Sequence, residues 1–306
     1  MRFVVCGEAL IDMFLTEVAG PGETHWTALA GGGPMNTAVA LAKLGEPTSF
    51  LGRLGSDRFG QQIEQHLRAS GVDTSLSVRS EEATTLGLAA LDDRGKASYV
   101  FHVDGTANFA WRAKDFPALS DGEWLHFGSI GVVLDGAFGP VRQFIAGTDA
   151  TLSYDLNVRP SILPDRGTYF ERVSDLMALV GASGGIVKAS DADIDWLVDD
   201  DDALSYAEAW AAEHGLAAFV VTRGAQGAVA LKGDGRRFEA PGRSVALVDT
   251  VGAGDTFMAG FLSRYADNPD DVTGALDFGV AAAAIVCSRT GANPPTRAEV
   301  TALMHQ

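Results

Sequence analysis

The sequence predicts an α/β protein in which helices cover both faces of one mainly parallel sheet. Short apolar runs rich in β-branched and aromatic residues alternate with amphipathic helical stretches along most of the 306 residues. Parallel strands need crossover connections, and the crossover helices then cover both faces of the sheet. The composition, 46% hydrophobic and 21% charged, is typical of a folded globular chain.

The alternation is clearest near the amino terminus. The pattern there predicts strands over residues 3–6 and 48–51 and helices over residues 34–44 and 58–69. In the second helix Phe59, Ile63 and Leu67 recur about one turn apart, which places them on one face. Further strands are predicted over residues 124–127, 152–155, 185–188 and 217–222, with helical segments between them.

Two stretches interrupt the alternation, because residues 11–18 and 84–103 are strand-like without an intervening helix. The residues Asp92-Asp93-Arg94-Gly95 have the composition of a hairpin turn. We predict one domain over residues 1–306, with a small accessory sheet from about residues 11–30 and 84–110. That sheet would cover a site at the end of the parallel sheet as a lid. The alternative is that its strands are edge strands of the main sheet.

The charge of the chain limits the partners that we expect, and its cysteine content indicates the redox compartment. Acidic residues outnumber basic ones by 40 to 23, so nucleic acid and anionic membranes would be repelled. Cys6 and Cys287 match no zinc spacing and fit a reducing compartment.

The amino terminus is charged too early for a signal peptide, and we expect a cytoplasmic protein. The longest uncharged apolar run, residues 278–288, is too short for a membrane span and is predicted to be a buried helix.

The most informative segment is Val-Asp-Thr-Val-Gly-Ala-Gly-Asp-Thr-Phe at residues 248–257. Small residues before a helix that begins near Gly254 allow backbone N–H groups to approach an anion. The sequence lacks a phosphate-binding P-loop motif, and Phe257 breaks the dinucleotide pattern Gly-x-Gly-x-x-Gly. Asp255 within this cradle is either a helix-capping residue or a base that accepts a proton from an attacking hydroxyl group.

A second glycine-rich segment, Ala-Gly-Gly-Gly-Pro-Met-Asn-Thr-Ala, spans residues 30–38. The glycines expose backbone at a helix entrance, Pro34 suits the first helical turn, and Asn36 can both donate hydrogen bonds to hydroxyl groups and accept them. The segment is therefore typical of polyol recognition. An ordinary helix start is the alternative.

Together these two segments resemble the two signatures of the ribokinase (PfkB-type) carbohydrate kinase family, and the resemblance extends over essentially the whole chain. Residues 153–160, Ser-Tyr-Asp-Leu-Asn-Val-Arg-Pro, are most similar to the fructokinase-like branch. The resemblance implies a ribokinase-like three-layer αβα domain with a β-sheet lid. It also implies a kinase that transfers the γ-phosphoryl group of ATP to a sugar, with fructose as the first candidate. Alternatives are 2-keto-3-deoxygluconate, ribose or a nucleoside as acceptor, and a non-catalytic sugar or nucleotide sensor.

The resemblance also implies roles for individual residues. Asp255 would be the catalytic base, and the backbone amides of Gly252, Ala253 and Gly254 would stabilise charge on the transferred phosphoryl group. The implied sugar-binding residues are Asp12, Gly32, Gly33, Asn36, Phe101, Asp155, Asn157 and Arg159. The implied ATP-binding residues are Lys188, Thr222, Gly224, Gly227 and Asn293.

The remaining implications concern metal ions and assembly. Ser190 and Asp193 replace the Asn and Glu of the family's Asn-x-x-Glu motif, and Asp193 would hold Mg²⁺ through water. A K⁺ site is implied near Asp249, Arg289 and Gly291. The expected partners are a small-molecule sugar and ATP, and the chain would be a monomer or a homodimer formed through the lid.

Overall fold

The computed structural model describes residues 1–91 and 97–305. Its strands are, in chain order, β1 Arg2–Cys6, β2 Leu10–Gly20, β3 Glu23–Gly31, β4 Thr48–Leu51, β5 Arg53–Gly55, β6 Val78–Ser80, β7 Leu86–Leu91, β8 Ala97–His102, β9 Glu123–Gly128, β10 Thr151–Asp155, β11 Ile186–Ser190, β12 Ala218–Thr222, β13 Ala228–Leu231 and β14 Arg237–Ala240. Its helices are α1 Gly33–Lys43, α2 Arg58–Ala69, α3 Ile130–Val133, α4 Phe138–Ala146, α5 Arg166–Ala182, α6 Asp191–Val198, α7 Ala203–His214, α8 Ala253–Asp267, α9 Val272–Cys287 and α10 Arg297–Met304.

The main sheet has the strand order β14-β13-β12-β11-β10-β9-β1-β4. The strands from β12 to β4 are parallel, and β13 and β14 add an antiparallel edge. From β1 the chain continues to β4 on one side and later returns to β9 on the other. The order therefore reverses between β1 and β9, and ligands of such sheets bind in the crevice at this point.

Both faces of the main sheet are buried. In β1 the side chains of Phe3 and Val5 enter one hydrophobic cluster, and those of Val4 and Cys6 enter the other. Because successive side chains of a strand point to opposite faces, a strand buried on both sides is a continuous apolar run. This confirms the predicted helix–sheet–helix arrangement.

The accessory sheet is also confirmed, as a separate sheet with the order β3-β2-β7-β8. Strands β2 and β7 pair in parallel, and the outer pairs are antiparallel. The sheet begins at Leu10, and its strand β3 was not separated from β2 in the sequence pattern. The predicted turn at residues 92–95 lies outside the described residues.

Several helix boundaries follow from capping. The helix predicted over residues 58–69 is confirmed as α2, and the Asp57 carboxylate accepts a hydrogen bond from the Gly60 N–H at 2.9 Å. The run at residues 278–288 forms the carboxyl-terminal part of α9, most of which is buried. Across the described ranges, no helix has both the length and the hydropathy that crossing a bilayer requires.

Candidate active site

A first cavity of about 420 Å³ opens at the switch point, between the carboxyl ends of the parallel strands and the accessory sheet. It brings together residues from sequence segments far apart. The predicted site residues that line it are Asp12, Gly32, Gly33, Asn36, Phe101, Asn157, Arg159, Gly252, Ala253, Gly254 and Asp255.

A second cavity of about 470 Å³ lies on the other side of the start of α8. Thr222, Gly224 and Gly227, which the resemblance implies as ATP-binding residues, line it, and its walls include Ala283 and Ala284. The first and second cavities share Thr250, Ala253 and Gly254. A group held in one cavity therefore meets a group held in the other at the first turn of α8.

This first turn offers backbone donors to an anion. Gly252 precedes α8 with φ of 74°, and a Cβ there would lie 2.8 Å from the Cβ of Ala292. Within the described residues the N–H groups of Gly252, Gly254 and Asp255 have no hydrogen-bond partner, whereas that of Ala253 donates to the Thr250 carbonyl at 3.2 Å. The donors and the positive end of the helix favour a negatively charged group here.

Asp255 is only 8% exposed and lies in the first turn of α8. Burial raises the pKa of its carboxyl group, while a hydrogen bond from Asn36 and the charges of Lys188 and Arg159 oppose that rise. Asn36 Nδ2 donates to Asp255 Oδ2 at 2.9 Å. The carboxylate is thus oriented towards the first cavity and is a stronger base than a solvated aspartate.

Gly33 allows the Asn157 side chain to lie close to this carboxylate. A Cβ on Gly33 would collide with Asn157 Nδ2 and would lie 3.3 Å from Asp255 Oδ1. Asn157 itself has φ of 40°, an uncommon conformation for a non-glycine residue. The absence of a side chain at Gly33 therefore keeps the space next to Asp255 open for a hydroxyl group.

Asp12 on β2 and Phe101 on β8 form the accessory-sheet side of the cavity. Both lie against Gly87 of β7, where a Cβ would be 2.8 Å from Asp12 Oδ1 and 2.9 Å from Phe101 Cε1. Burial raises the pKa of Asp12 to about 6, and the Arg159 charge opposes this rise. A hydrogen-bond acceptor and an aromatic ring are therefore adjacent on this wall of the first cavity.

Asp155 and Lys188 line neither cavity. They form a buried ion pair between β10 and β11, in which Lys188 Nζ is 2.9 Å from Asp155 Oδ2. Burial raises the pKa of Asp155 to about 6 in spite of Lys188. The ammonium group approaches the first turn of α8, since a Cβ on Gly254 would lie 3.0 Å from Lys188 Nζ. Lys188 therefore places an ammonium group beneath the backbone shared by the two cavities, with Asp155 as its counter-ion.

Two other predicted residues lie away from the cavity walls. Asn293 lines neither cavity, and its N–H donates to the Gly291 carbonyl at 2.8 Å. Both carboxylate oxygens of Asp193 accept backbone hydrogen bonds, from Val158 and Ser190. Among the described residues no group of three or more His, Cys, Asp or Glu side chains could hold a metal ion.

Sequence reasoning missed Glu8 and Ser129, which also line the first cavity. The Glu8 side chain is buried, and its Oε2 accepts from the Gly131 N–H at 2.8 Å. Burial raises its pKa to about 7, while hydrogen bonds from Ser129 and Gly131 and the Arg159 charge oppose the rise. Glu8 follows β1 and Ser129 follows β9, so the carboxyl-end rule applied to the predicted strands would have found both.

The chain is similar in sequence to known proteins. A family model described as pfkB family carbohydrate kinase matches residues 2–299. A fructokinase from Rhizobium leguminosarum bv. trifolii is 38% identical over 264 residues, which cover 84% of this chain and 78% of the relative.

The chain is also similar in fold to solved structures of fructokinases. A double mutant of the Vibrio cholerae O395 fructokinase, crystallised with fructose, ADP and potassium ion bound, superposes with a TM-score of 0.86 and 26% identity. The match covers 99% of this chain and 97% of that chain. A Xylella fastidiosa fructokinase with bound ATP has a TM-score of 0.83 and 28% identity, over 99% and 98% of the two chains.

Proposed function

The chain belongs to the pfkB family of carbohydrate kinases, and from this premise we propose that it transfers the γ-phosphoryl group of ATP to fructose. One observation carries the proposal: the first and second cavities meet at Thr250, Ala253 and Gly254, with the Asp255 carboxylate on the first-cavity side. Fructose in the first cavity and ATP in the second would place a hydroxyl group and the terminal phosphate on either side of this turn.

The roles of the residues follow from this placement. Asp255, oriented by Asn36, accepts the proton of the attacking hydroxyl group. The unpartnered N–H groups of Gly252 and Gly254, with Lys188 beneath them, stabilise negative charge on the transferred phosphoryl group. These groups are already in position before reaction, and such preorganisation is what electrostatic catalysis requires.

The substrate contacts divide between the two cavities. In the first, Asp12, Asn157 and Arg159 would bind sugar hydroxyl groups, and Phe101 would cover the apolar side of the ring. In the second, the apolar wall of Phe257, Val280 and Ala284 suits a nucleotide base.

Magnesium is proposed to enter as the complex with ATP. The described residues do not form a protein cage for a divalent ion. Mg²⁺ is commonly held by substrate phosphates and water with one or two carboxylates, and Asp193 would act only through water. When bound, the ion offsets the charge of the phosphates.

Potassium is proposed as an activator near Asp249, partly because the V. cholerae structure contains it. The Asp249 carboxylate accepts from the N–H groups of Val251 and Gly291, and the hydrogen bond from Val251 contributes most to a lowered pKa. The carboxylate thus remains charged beside the loop that leads to Gly252. Replacing KCl by choline chloride at equal ionic strength is expected to lower turnover, whereas unchanged turnover would remove potassium from the proposal.

Acceptor identity is tested by ADP release with fructose, ribose, glucose, 2-keto-3-deoxygluconate and adenosine. We expect the highest kcat/KM with fructose, together with a fructose phosphate as product. Activity with adenosine alone would overturn the sugar assignment, and binding without any phosphorylated product would favour a sensor. The proposal also includes a cytoplasmic location, where ATP is available.

A further inference from the structure

A buried polar cluster lies outside both cavities, where the accessory sheet joins the main domain. It consists of Thr85, Thr106 and Asn108, which are 0%, 8% and 2% exposed. None of these side chains lines the first or second cavity. Burying polar groups is unfavourable unless they are paired, so the cluster requires an explanation.

The hydrogen bonds of the cluster form a chain that begins at Asn108 and ends at the Val103 carbonyl. The amide of Asn108 binds both backbone groups of Ala9, accepting from its N–H at 3.3 Å and donating to its carbonyl at 2.9 Å. Its other Nδ2 hydrogen goes to Thr85 Oγ1 at 2.9 Å. Thr106 donates to the Val103 carbonyl at 2.7 Å, so in the 2.7 Å contact between the two threonines the Thr85 hydroxyl is the donor.

The cluster connects the chain segments that enter and leave the accessory sheet. Ala9 precedes β2, Thr85 precedes β7, and Val103 and Thr106 follow β8. The chain also leaves the accessory sheet after β3. This fourth connection packs against Ala9, because a Cβ on Gly32 would lie 3.3 Å from the Ala9 Cα. Ala9 also separates Glu8 from Leu10, and both neighbours line the first cavity.

We propose that Asn108 is a positioning residue that sets the accessory sheet over the first cavity and so controls affinity for the acceptor sugar. By holding Ala9 and Thr85 together, it fixes β2 with Asp12 relative to β7 and, through the threonine chain, to β8 with Phe101. The second cavity has no wall on these strands. Loss of the cluster therefore weakens acceptor binding selectively. The inference rests on the proposed function only in that the first cavity takes the acceptor.

The test compares Thr85→Val with Thr85→Ser and Asn108→Ala. Valine keeps the shape of threonine but cannot accept from Asn108 or donate to Thr106, whereas serine keeps the hydroxyl group. Thr48→Val is the matched control, because Thr48 is also buried but its hydroxyl group donates to the Glu46 carbonyl at the amino end of β4. The acceptor is whichever sugar the wild-type enzyme phosphorylates fastest, so failure with fructose would not obscure the result.

We expect Thr85→Val, which loses the hydrogen bonds to Asn108 and Thr106, to raise the acceptor KM by about tenfold, and Asn108→Ala to raise it further. The KM for ATP and kcat should change less than about twofold, because the second cavity and the α8 turn are unaffected. Thr85→Ser and Thr48→Val should match the wild type in all three parameters. A folded Thr85→Val protein with the wild-type acceptor KM would overturn the proposal. So would an equal rise in acceptor KM for Thr48→Val, which would indicate a general loss of stability.

Discussion

At the scale of single residues, the first cavity contains three carboxyl groups in low-dielectric surroundings. Burial raises the pKa of Glu8, Asp12 and Asp255, and the guanidinium group of Arg159 opposes the rise for each of them. Only Asp255 also lies at the start of a helix with unpartnered backbone donors. The three acids therefore differ in their surroundings, and we propose that Asp255, beside the anion-binding turn, is the one that accepts the proton of the attacking hydroxyl group.

Glu8 gives a prediction for stability against pH. Its pKa is about 7 in the folded protein and near 4.5 when unfolded, so between these values the folded state alone holds the proton. Stability then falls as pH rises through this window and is constant above it. Relative to Glu8→Gln, which does not titrate, the wild type should lose roughly 3 kcal/mol of unfolding free energy between pH 4.5 and 7.5. Urea unfolding at each pH measures this difference, and parallel curves for the two proteins would contradict it.

At the scale of elements, the site depends on how the starts of α1 and α8 meet. Asn36 and Asp255 are 219 positions apart in the chain and are hydrogen-bonded. Their approach requires small residues at both helix starts, with Gly33 beside Asn157 and Gly252 beside Ala292. The first turns of α1 and α8 therefore lie together, and the positive end of α8 favours an anion there.

Gly33→Ala tests this close approach. The added methyl group would displace Asn157 and crowd Asp255, so the acceptor KM should rise by about tenfold or more, while ATP binding changes little. The control is Gly139→Ala in α4, where a Cβ would meet nothing within 4 Å. Alanine there should be neutral or stabilise by about 0.5–1 kcal/mol. Steady-state kinetics and thermal unfolding of both variants test this prediction. An unchanged acceptor KM for Gly33→Ala would show that the methyl group does not crowd Asp255.

The sequence predicted elements best where burial is strong. The bounds of β4 and α2 agree with their predictions, because apolar spacing and the Asp57 cap define them. Strand β3 was not separated, since it lies in a sheet that is largely exposed and carries no continuous apolar run. The strands β5 and β6 are three residues each, too short for a pattern. Asn108 gave no signal, because its partners are backbone groups of Ala9, 99 positions away.

At the scale of the whole molecule, the accessory sheet forms one wall of the first cavity, and it also carries large apolar side chains that are exposed. Val18, Leu29 and Val100 are among the exposed large apolar residues. The predicted oligomeric state is a monomer or a homodimer that forms through this sheet, and analytical ultracentrifugation distinguishes the two. Because of the net charge of −17, two copies of the protein repel each other and associate only where their surfaces are complementary.

We propose that the accessory sheet acts as a lid, and a lid would make turnover depend on the presence of the acceptor. If the sheet completes the site only over bound sugar, water is a poor acceptor and ATP is protected from hydrolysis. ADP release without sugar should therefore be about 1% or less of the rate with a saturating acceptor. The check is a coupled assay with and without acceptor, and comparable rates would show that the sheet does not control access to the phosphoryl group.

The most direct test of the account is Asp255→Asn. An amide cannot accept the hydroxyl proton as a carboxylate does, but it keeps the size of the side chain and the hydrogen-bonding surroundings of Asn36. We expect kcat to fall on the order of 10²-fold or more. Calorimetry should give dissociation constants for fructose and a non-hydrolysable ATP analogue within about threefold of the wild type. Turnover close to that of the wild type, with both ligands bound, would show that Asp255 is not the base.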